Sequence, residues 1–188
     1  MDVKVTKADL RRTAKQRRAA MTDRTARSGL IMQRLMGLAA YQQAQAIHCY
    51  LAIGSEVDTY PIAAAIFAAG KRLAVPVITP DGQLIHSWLD RLDPPAFGTG
   101  TLGTPVPRQL DSALPGSWHL TLVPLLAFDR RGYRLGYGKG YYDGLLAEQQ
   151  GGVAVGLAFA CQEVPAVPVE PHDQPLDLIV TEYELIVC

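Results

Sequence analysis

The stretch AIHCYLAIGSEVDTYPIAAAIFAAGKRLAVPV, residues 46–77, carries the signals of a strand, a helix and a second strand in that order. Residues 46–52 and 72–77 are mainly apolar runs of strand length. Between them, Pro61 stands in the first turn of an apolar helical segment and Gly70 follows its last turn. A strand, a helix and a strand at this spacing form a βαβ unit, which predicts a parallel sheet.

The flanking segments extend this pattern in both directions. Upstream, the sequence predicts helices at residues 6–20, with Thr6 as the cap, and at about 25–38. Downstream, it predicts strands at 83–89, 120–124, 153–159 and 178–181 and a helix at 141–149. Strands that alternate with helices predict an α/β protein in which residues 1–188 form a single domain.

Residues 90–118 interrupt the alternation, because they carry five prolines and four glycines. A loop of this length inside a compact domain is usually functional or mobile. We therefore expect this segment to be functional or mobile.

The composition is that of a compact globular protein, with 188 residues, 48% hydrophobic residues and a formal net charge of zero. Such a balance excludes an intrinsically disordered chain. The charge is unevenly distributed, since residues 1–34 hold ten of the eighteen basic residues. A basic end on an acidic body indicates an anionic partner, which could be a nucleic acid, a membrane surface or a charged small molecule.

The three cysteines, Cys49, Cys161 and Cys188, contain no CxxC pair and are odd in number. This favours a reducing compartment over a disulfide framework. No apolar run approaches the roughly 20 residues that span a bilayer. The basic N-terminus is not followed by an apolar segment, so we expect no secretory signal and a cytoplasmic protein. A mitochondrial presequence is the alternative.

The segment PLLAFDRRGYRLGYGKGYYD, residues 124–143, carries the chemistry. Glycines at 136, 138 and 140 let successive backbone N–H groups approach an anion, and the helix that follows presents its own unpaired donors there. Arg134 and Lys139 flank these glycines and could neutralise phosphate charge, and Asp143 could hold a magnesium ion. The spacing fits neither a Walker A loop nor Gly-x-Gly-x-x-Gly. The alternative is a tight turn with solvated cations.

The string from Arg134 to Asp143, preceded by Ala127-Phe128-Asp129, resembles the signature of the 5-formyltetrahydrofolate cyclo-ligase family. Other segments resemble motifs of this family in the same order: Lys7-Ala8-Asp9-Leu10-Arg11, Glu56-Val57-Asp58-Thr59, Val155-Gly156-Leu157-Ala158-Phe159 with Gln162, His172-Asp173, and Asp177-Leu178-Ile179-Val180-Thr181. Thr104 and Gly144 depart from the pattern. The resemblance covers nearly the whole chain.

The resemblance implies a three-layer Rossmann-like sandwich with a mostly parallel sheet, similar to the ribose-phosphate isomerase-like fold. It implies a ligase that converts 5-formyltetrahydrofolate and ATP to 5,10-methenyltetrahydrofolate, ADP and phosphate, with magnesium. The partners would be reduced folate and ATP, with neither nucleic acid nor membrane, and the protein would be a monomer or weak homo-oligomer.

The resemblance also implies the roles of individual residues. Arg134 and Lys139 would be catalytic, and Asp143 and Asp173 would hold the metal. The ATP site would comprise Lys7, Arg11, Arg134, Leu135, Gly136, Tyr137, Gly138, Lys139, Gly140, Tyr141 and Tyr142. The folate site would comprise Ile53, Glu56, Tyr137, Gly138, Lys139, Gly140 and Tyr141. We expect the side chains of Arg134 and Lys139 to be accessible at the surface.

Two other functions are compatible with parts of this pattern. A sugar-phosphate isomerase would use the glycine segment but would need neither Lys7 nor Arg11. A noncatalytic module that binds folate or nucleic acid would use the basic N-terminus and would leave residues 134–143 unexplained. A single architecture hosts many activities, so the fold alone does not choose between these functions.

Overall fold

The computed structural model describes residues 6–100, 103–149 and 151–188. The helices of this part of the chain are α1 (Lys7–Ala19), α2 (Arg24–Met36), α3 (Ala39–Gln43), α4 (Tyr60–Ala68) and α5 (Tyr141–Glu148). The strands are β1 (Ala46–Cys49), β2 (Arg72–Ile78), β3 (Leu84–Leu89), β4 (Phe97–Thr99), β5 (Pro105–Pro107), β6 (Asp111–Ser112), β7 (Leu120–Pro124), β8 (Ala127–Phe128), β9 (Arg134–Leu135), β10 (Val153–Leu157), β11 (Leu178–Val180) and β12 (Leu185–Val187).

Eight of these strands form one sheet in the order β12-β11-β10-β7-β1-β2-β3-β6. The central pairs β2-β1, β1-β7, β7-β10 and β10-β11 are parallel, and β3, β6 and β12 are antiparallel additions at the edges. The predicted α/β class is therefore confirmed. The chain leaves β1 toward β2 on one side, whereas β7 lies on its other side. The carboxyl ends of β1 and β7 thus flank a topological switch point, where ligands bind in sheets of this type.

Helices cover both faces of this sheet. Side chains alternate along a strand, so neighbouring residues of β1 enter different cores. Ile47 packs in a core with Ile31 of α2 and Ile62 of α4. Ala46 packs in another core with Leu145 of α5. The result is the expected three-layer sandwich.

Helix α1 lies over the carboxyl end of the sheet. It begins where the sequence predicts, because the Thr6 hydroxyl accepts the backbone N–H of Asp9 at 3.2 Å. Ala14 packs against Leu126 and Leu135, which belong to the segment of the β8-β9 hairpin. This packing holds the basic helix next to the loops that follow β1 and β7.

Residues 90–118 contain more regular structure than the loop expected from their prolines and glycines. Among the residues described there, β4 and β5 form a hairpin, and β6 pairs with β3 at the sheet edge. The segment escaped prediction because strands of two or three residues are too short for a periodic signal. The same reason applies to α3, to the β8-β9 hairpin and to β12.

Strand β1 ends at Cys49, three residues earlier than predicted. The Thr59 side chain ends it, because its hydroxyl donates to the carbonyl of Tyr50 at 2.6 Å and accepts the N–H of Ala52 at 3.0 Å. These bonds satisfy backbone groups that would otherwise pair in the sheet. They also turn residues 52–58 out over the carboxyl edge of β1.

Candidate functional site

Two loops meet at the switch point and form the candidate site. Residues 50–59 follow β1, and residues 125–140 follow β7 and include the β8-β9 hairpin. The first loop presents the carboxylate of Glu56, and the second presents the glycines. Helix α1 contributes a cation to each loop.

The glycine segment leads directly into α5. Gly140 is the N-cap residue with a φ of 70°, and as a glycine it has no side chain that could cap the helix. The first N–H groups of α5 are thus free to bind an anion. At Gly138, with a φ of 93°, a Cβ atom would lie 3.2 Å from the guanidinium carbon of Arg11. A side chain at this position would therefore strain the backbone, and the Arg11 side chain would have to shift by a few tenths of an ångström.

Helix α1 directs Arg11 toward this segment and Lys7 toward residues 170–173. Arg11 Nε donates to the carbonyl of Gly136 at 3.0 Å. Lys7 Nζ lies 2.9 Å from both Glu170 Oε2 and Asp173 Oδ2. The predicted pair is one helical turn apart, and Arg11 contacts the glycine segment whereas Lys7 pairs with the loop at residues 170–173. Lys139 is exposed, and no ion pair of its side chain occurs in the part of the chain that the structure describes.

The prediction that Arg134 is accessible is wrong, because its side chain is only 4% exposed. It donates to the carbonyl of Gln174 at 2.5 Å and to Asp143 Oδ1 at 3.0 Å. Burial lowers the pKa of Arg134, and the Asp143 carboxylate opposes this change. Arg134 therefore connects the strand that precedes the glycine segment to Gln174 and to Asp143 at the start of α5.

The two expected metal ligands each keep one carboxylate oxygen without a hydrogen bond among the described residues. Asp143 Oδ1 accepts from Arg134 and from the N–H of Gln174, and Asp173 Oδ2 accepts from Lys7 and from the N–H of Glu170. Partial burial disfavours the charge on Asp173, but these hydrogen bonds outweigh it and lower the pKa of this carboxyl. Ionised carboxylate oxygens are the donors that Mg²⁺ prefers, so the residues fit this metal.

Glu56 is held at both oxygens. Its Oε2 accepts the N–H of Ile53 at 3.0 Å, and its Oε1 accepts the hydroxyl of Tyr137 at 2.7 Å. Tyr137 Oη in turn accepts from Arg18 at 2.8 Å. The site thus contains Arg18, which was not among the site residues predicted from the sequence. Its separation of seven residues from Arg11, about two helical turns, was the available signal.

The other predicted residues differ in what they offer a ligand. Tyr141 lies at the rim, where its hydroxyl donates to the carbonyl of Gly82 at 2.8 Å. Leu135 is 2% exposed and belongs to the core. The Tyr142 side chain points into the sheet, where its ring lies 6.2 Å from that of His48. For Leu135 and Tyr142, only the backbone is placed to bind a nucleotide.

These features define a Rossmann-like α/β protein with a candidate anion-binding site at the carboxyl edge of its sheet. The sequence model of the 5-formyltetrahydrofolate cyclo-ligase family matches residues 3–182. The chain belongs to this family of ligases.

Individual relatives agree with this assignment. The chain is 33% identical over 152 residues to 5-formyltetrahydrofolate cyclo-ligase of Escherichia coli, covering 79% of this chain and 84% of that protein. It is 30% identical over 192 residues to the Mus musculus protein of the same name, covering 94% and 93%. The solution structure of Aquifex aeolicus 5,10-methenyltetrahydrofolate synthetase superposes with a TM-score of 0.85 at 29% identity, covering 97% of this chain and 93% of that one.

Proposed function

We propose that this chain converts 5-formyltetrahydrofolate and ATP to 5,10-methenyltetrahydrofolate, ADP and phosphate, with Mg²⁺. The cyclisation is the activity for which its family is named. The observation that carries the proposal is the meeting of a fixed carboxylate, Glu56, with a cation-flanked glycine segment at one switch point. Neither a sugar-phosphate isomerase nor a nucleic-acid module would need both the fixed carboxylate and the glycine segment.

The reaction needs a better leaving group than the formamide oxygen. Transfer of the γ-phosphoryl group to that oxygen breaks the bond to ADP and forms an imidate-like phosphate. N10 then attacks the same carbon, phosphate departs with the oxygen, and N10 loses its proton. Phosphoryl transfer depends on positioning and on cations around the developing charge, so no side chain of this protein acts as a nucleophile.

The phosphates lie on the glycine segment in this proposal. The N–H groups at the start of α5 and the ammonium of Lys139 bind them from one side, and Lys7 and Arg11 approach from α1. Bound Mg²⁺ would supply further charge neutralisation, held by Asp143 and Asp173. Arg134 supports this surface through Asp143 and Gln174, because its burial keeps the guanidinium below the loop.

The pterin ring lies against Glu56 in this proposal. With one protein donor on each carboxylate oxygen, each oxygen retains a lone pair for a ligand. Two parallel acceptors match the two donors of an amino-pyrimidinone edge. Ile53 holds the carboxylate through its backbone, and Tyr137 does so through its hydroxyl. Tyr141 closes the rim of the site beside Gly82.

The first test is the near-ultraviolet absorbance of the protein mixed with 5-formyltetrahydrofolate and Mg²⁺. We expect the band of the methenyl product to grow only after ATP is added, and to stop growing when EDTA removes the metal. A folded protein that binds ATP but produces no band would contradict the folate assignment. Salt-sensitive binding of a polynucleotide would then favour the nucleic-acid module.

Replacing Lys139 with alanine is expected to lower turnover by roughly 10- to 30-fold, the effect of one charge-assisted hydrogen bond to phosphate. The circular dichroism spectrum should not change, since Lys139 is exposed and pairs with no described side chain. The control is Arg12→Ala, which removes an exposed cation of α1 that pairs with Asp9. Equal turnover in both variants would remove Lys139 from the phosphate site.

We further propose a cytoplasmic protein that acts on small molecules as a monomer or weak homo-oligomer, without nucleic acid or membrane. Within the described residues, no helix combines the length and apolar character needed to cross a bilayer. Cys49, Cys161 and Cys188 are free thiols, which is consistent with a reducing compartment.

A further inference from the structure

Arg18 occupies an unusual place for a cation, since it is only 4% exposed and lies between the two loops of the switch point. Its Nε donates to Ser55 Oγ at 3.0 Å, in the loop after β1. Its Nη1 donates to the carbonyl of Leu125 at 3.2 Å, directly after β7. Its Nη2 donates to the hydroxyl of Tyr137 at 2.8 Å, in the glycine segment. One guanidinium therefore joins three segments that are distant in sequence.

The hydrogen bond from Arg18 to Tyr137 determines the direction of the next one, from Tyr137 to Glu56. A guanidinium can only donate, so Tyr137 Oη accepts from Arg18 and its own hydrogen is available for Glu56 Oε1, 2.7 Å away. Burial, reinforced by the Glu56 carboxylate, raises the pKa of Tyr137 to about 12. The phenol therefore remains protonated at neutral pH and retains its role as a donor.

The positive charge of Arg18 and the negative charge of Glu56 lie at the two ends of these hydrogen bonds. In the described part of the structure, no carboxylate lies within ion-pair distance of Arg18, and Glu56 is the acid that it reaches through one hydroxyl. A buried cation needs a compensating charge. Arg18 and Glu56 are thus opposite charges linked through the hydroxyl of Tyr137, and this link fixes the direction in which the carboxylate presents its remaining lone pairs.

We infer that Arg18 is the positioning residue for the folate-binding carboxylate, acting on Glu56 through the hydroxyl of Tyr137. This inference rests on the proposed function, because it assigns the pterin to Glu56. Arg18 touches no substrate. It sets the geometry of the folate half of the site, whereas Lys7, Arg11 and Lys139 serve the phosphate half.

A double-mutant cycle on Arg18→Lys and Tyr137→Phe tests this inference. Each single variant should raise the KM for 5-formyltetrahydrofolate about tenfold and leave the KM for ATP within about twofold, because Glu56 is the group assigned to a substrate that both substitutions release from its orientation. The double variant should be no worse than the single variants, since both substitutions break the same chain of bonds. Tyr137→Phe keeps the aromatic ring under Lys15 and should fold normally.

The control is Arg17→Lys, the same substitution at the exposed neighbouring position of α1, which should leave both KM values unchanged. Additive effects of the two substitutions, or equal changes in both KM values, would show that Arg18 only stabilises the fold and would overturn the inference. Wild-type protein without folate-dependent activity would reject the proposed function, and the inference with it. Normal wild-type activity with unchanged KM values in the variants would reject the role of Arg18 alone.

Discussion

Glu56→Gln is expected to raise the KM for 5-formyltetrahydrofolate about 100-fold, with little change in the KM for ATP. Glutamine offers a single acceptor oxygen, whereas the N–H of Ile53 and the hydroxyl of Tyr137 each donate to a separate oxygen of Glu56. The new NH₂ group must face one of these donors and can accept nothing from the pterin. Losing charged acceptors for a ligand costs about 3 kcal/mol, which corresponds to about 100-fold.

Steady-state kinetics with each substrate varied in turn measure this effect. Asp58→Asn is the matched control, because it removes another carboxylate from the same loop. Asp58 Oδ1 accepts the N–H of Tyr60 at 3.0 Å, a bond that asparagine can keep. We expect this control to bind folate normally. If the KM for ATP rose as much as the KM for folate, Glu56 would shape the whole loop and would not contact the pterin.

Arg134→Ala is expected to destabilise the protein by about 3 kcal/mol, the low end of the cost of breaking a buried ion pair. The substitution removes one of the two donors to Asp143 Oδ1 and the donor to the carbonyl of Gln174, in a place where the arginine was 4% exposed. The thermal unfolding midpoint of a chain of this size should fall by roughly 10 °C. Activity should fall as well, because Asp143 of α5 and the carbonyl of Gln174 both lose the hydrogen bond from Arg134 that fixes their positions.

Calorimetry or thermal denaturation followed by circular dichroism measures the shift. The control is Arg130→Ala, in the turn of the β8-β9 hairpin that contains Arg134. Arg130 is 55% exposed and pairs with Glu163 and Glu184 at the surface, so its loss should leave the unfolding midpoint nearly unchanged. An unchanged midpoint in Arg134→Ala, together with lost turnover, would mean that Arg134 acts on the phosphates and contributes little to the stability of the fold.

The hydrogen bond from Arg134 to Asp143 also affects the proposed Mg²⁺ site. Asp143 cannot turn both oxygens toward an ion, because Oδ1 already accepts from Arg134 and Gln174. Monodentate coordination suits Mg²⁺, which keeps several of its waters and takes one or two carboxylates. The arginine thus restricts how the carboxylate can bind.

Local sequence determined the central elements and the direction of the basic helix face. The βαβ unit of residues 46–77 follows from apolar runs, Pro61 and Gly70, which are features of neighbouring residues. The glycine segment follows from its own composition. Lys7, Arg11 and Arg18 contact one region of the site because their spacings nearly complete whole helical turns. Each of these inferences depends on distances of a few residues along the chain.

The tertiary structure alone decided which polar groups meet and which are buried. The sequence predicted an accessible cation at Arg134. In the structure the carbonyl of Gln174, 40 residues away, accepts a hydrogen bond from it and helps to bury it. The chain from Arg18 through Tyr137 to Glu56 joins residues 119 and 81 positions apart. No periodicity encodes such pairings, because they depend on the order of strands in the sheet and on the helix packed over its edge. The sequence supplied the charged groups, and packing determined their partners.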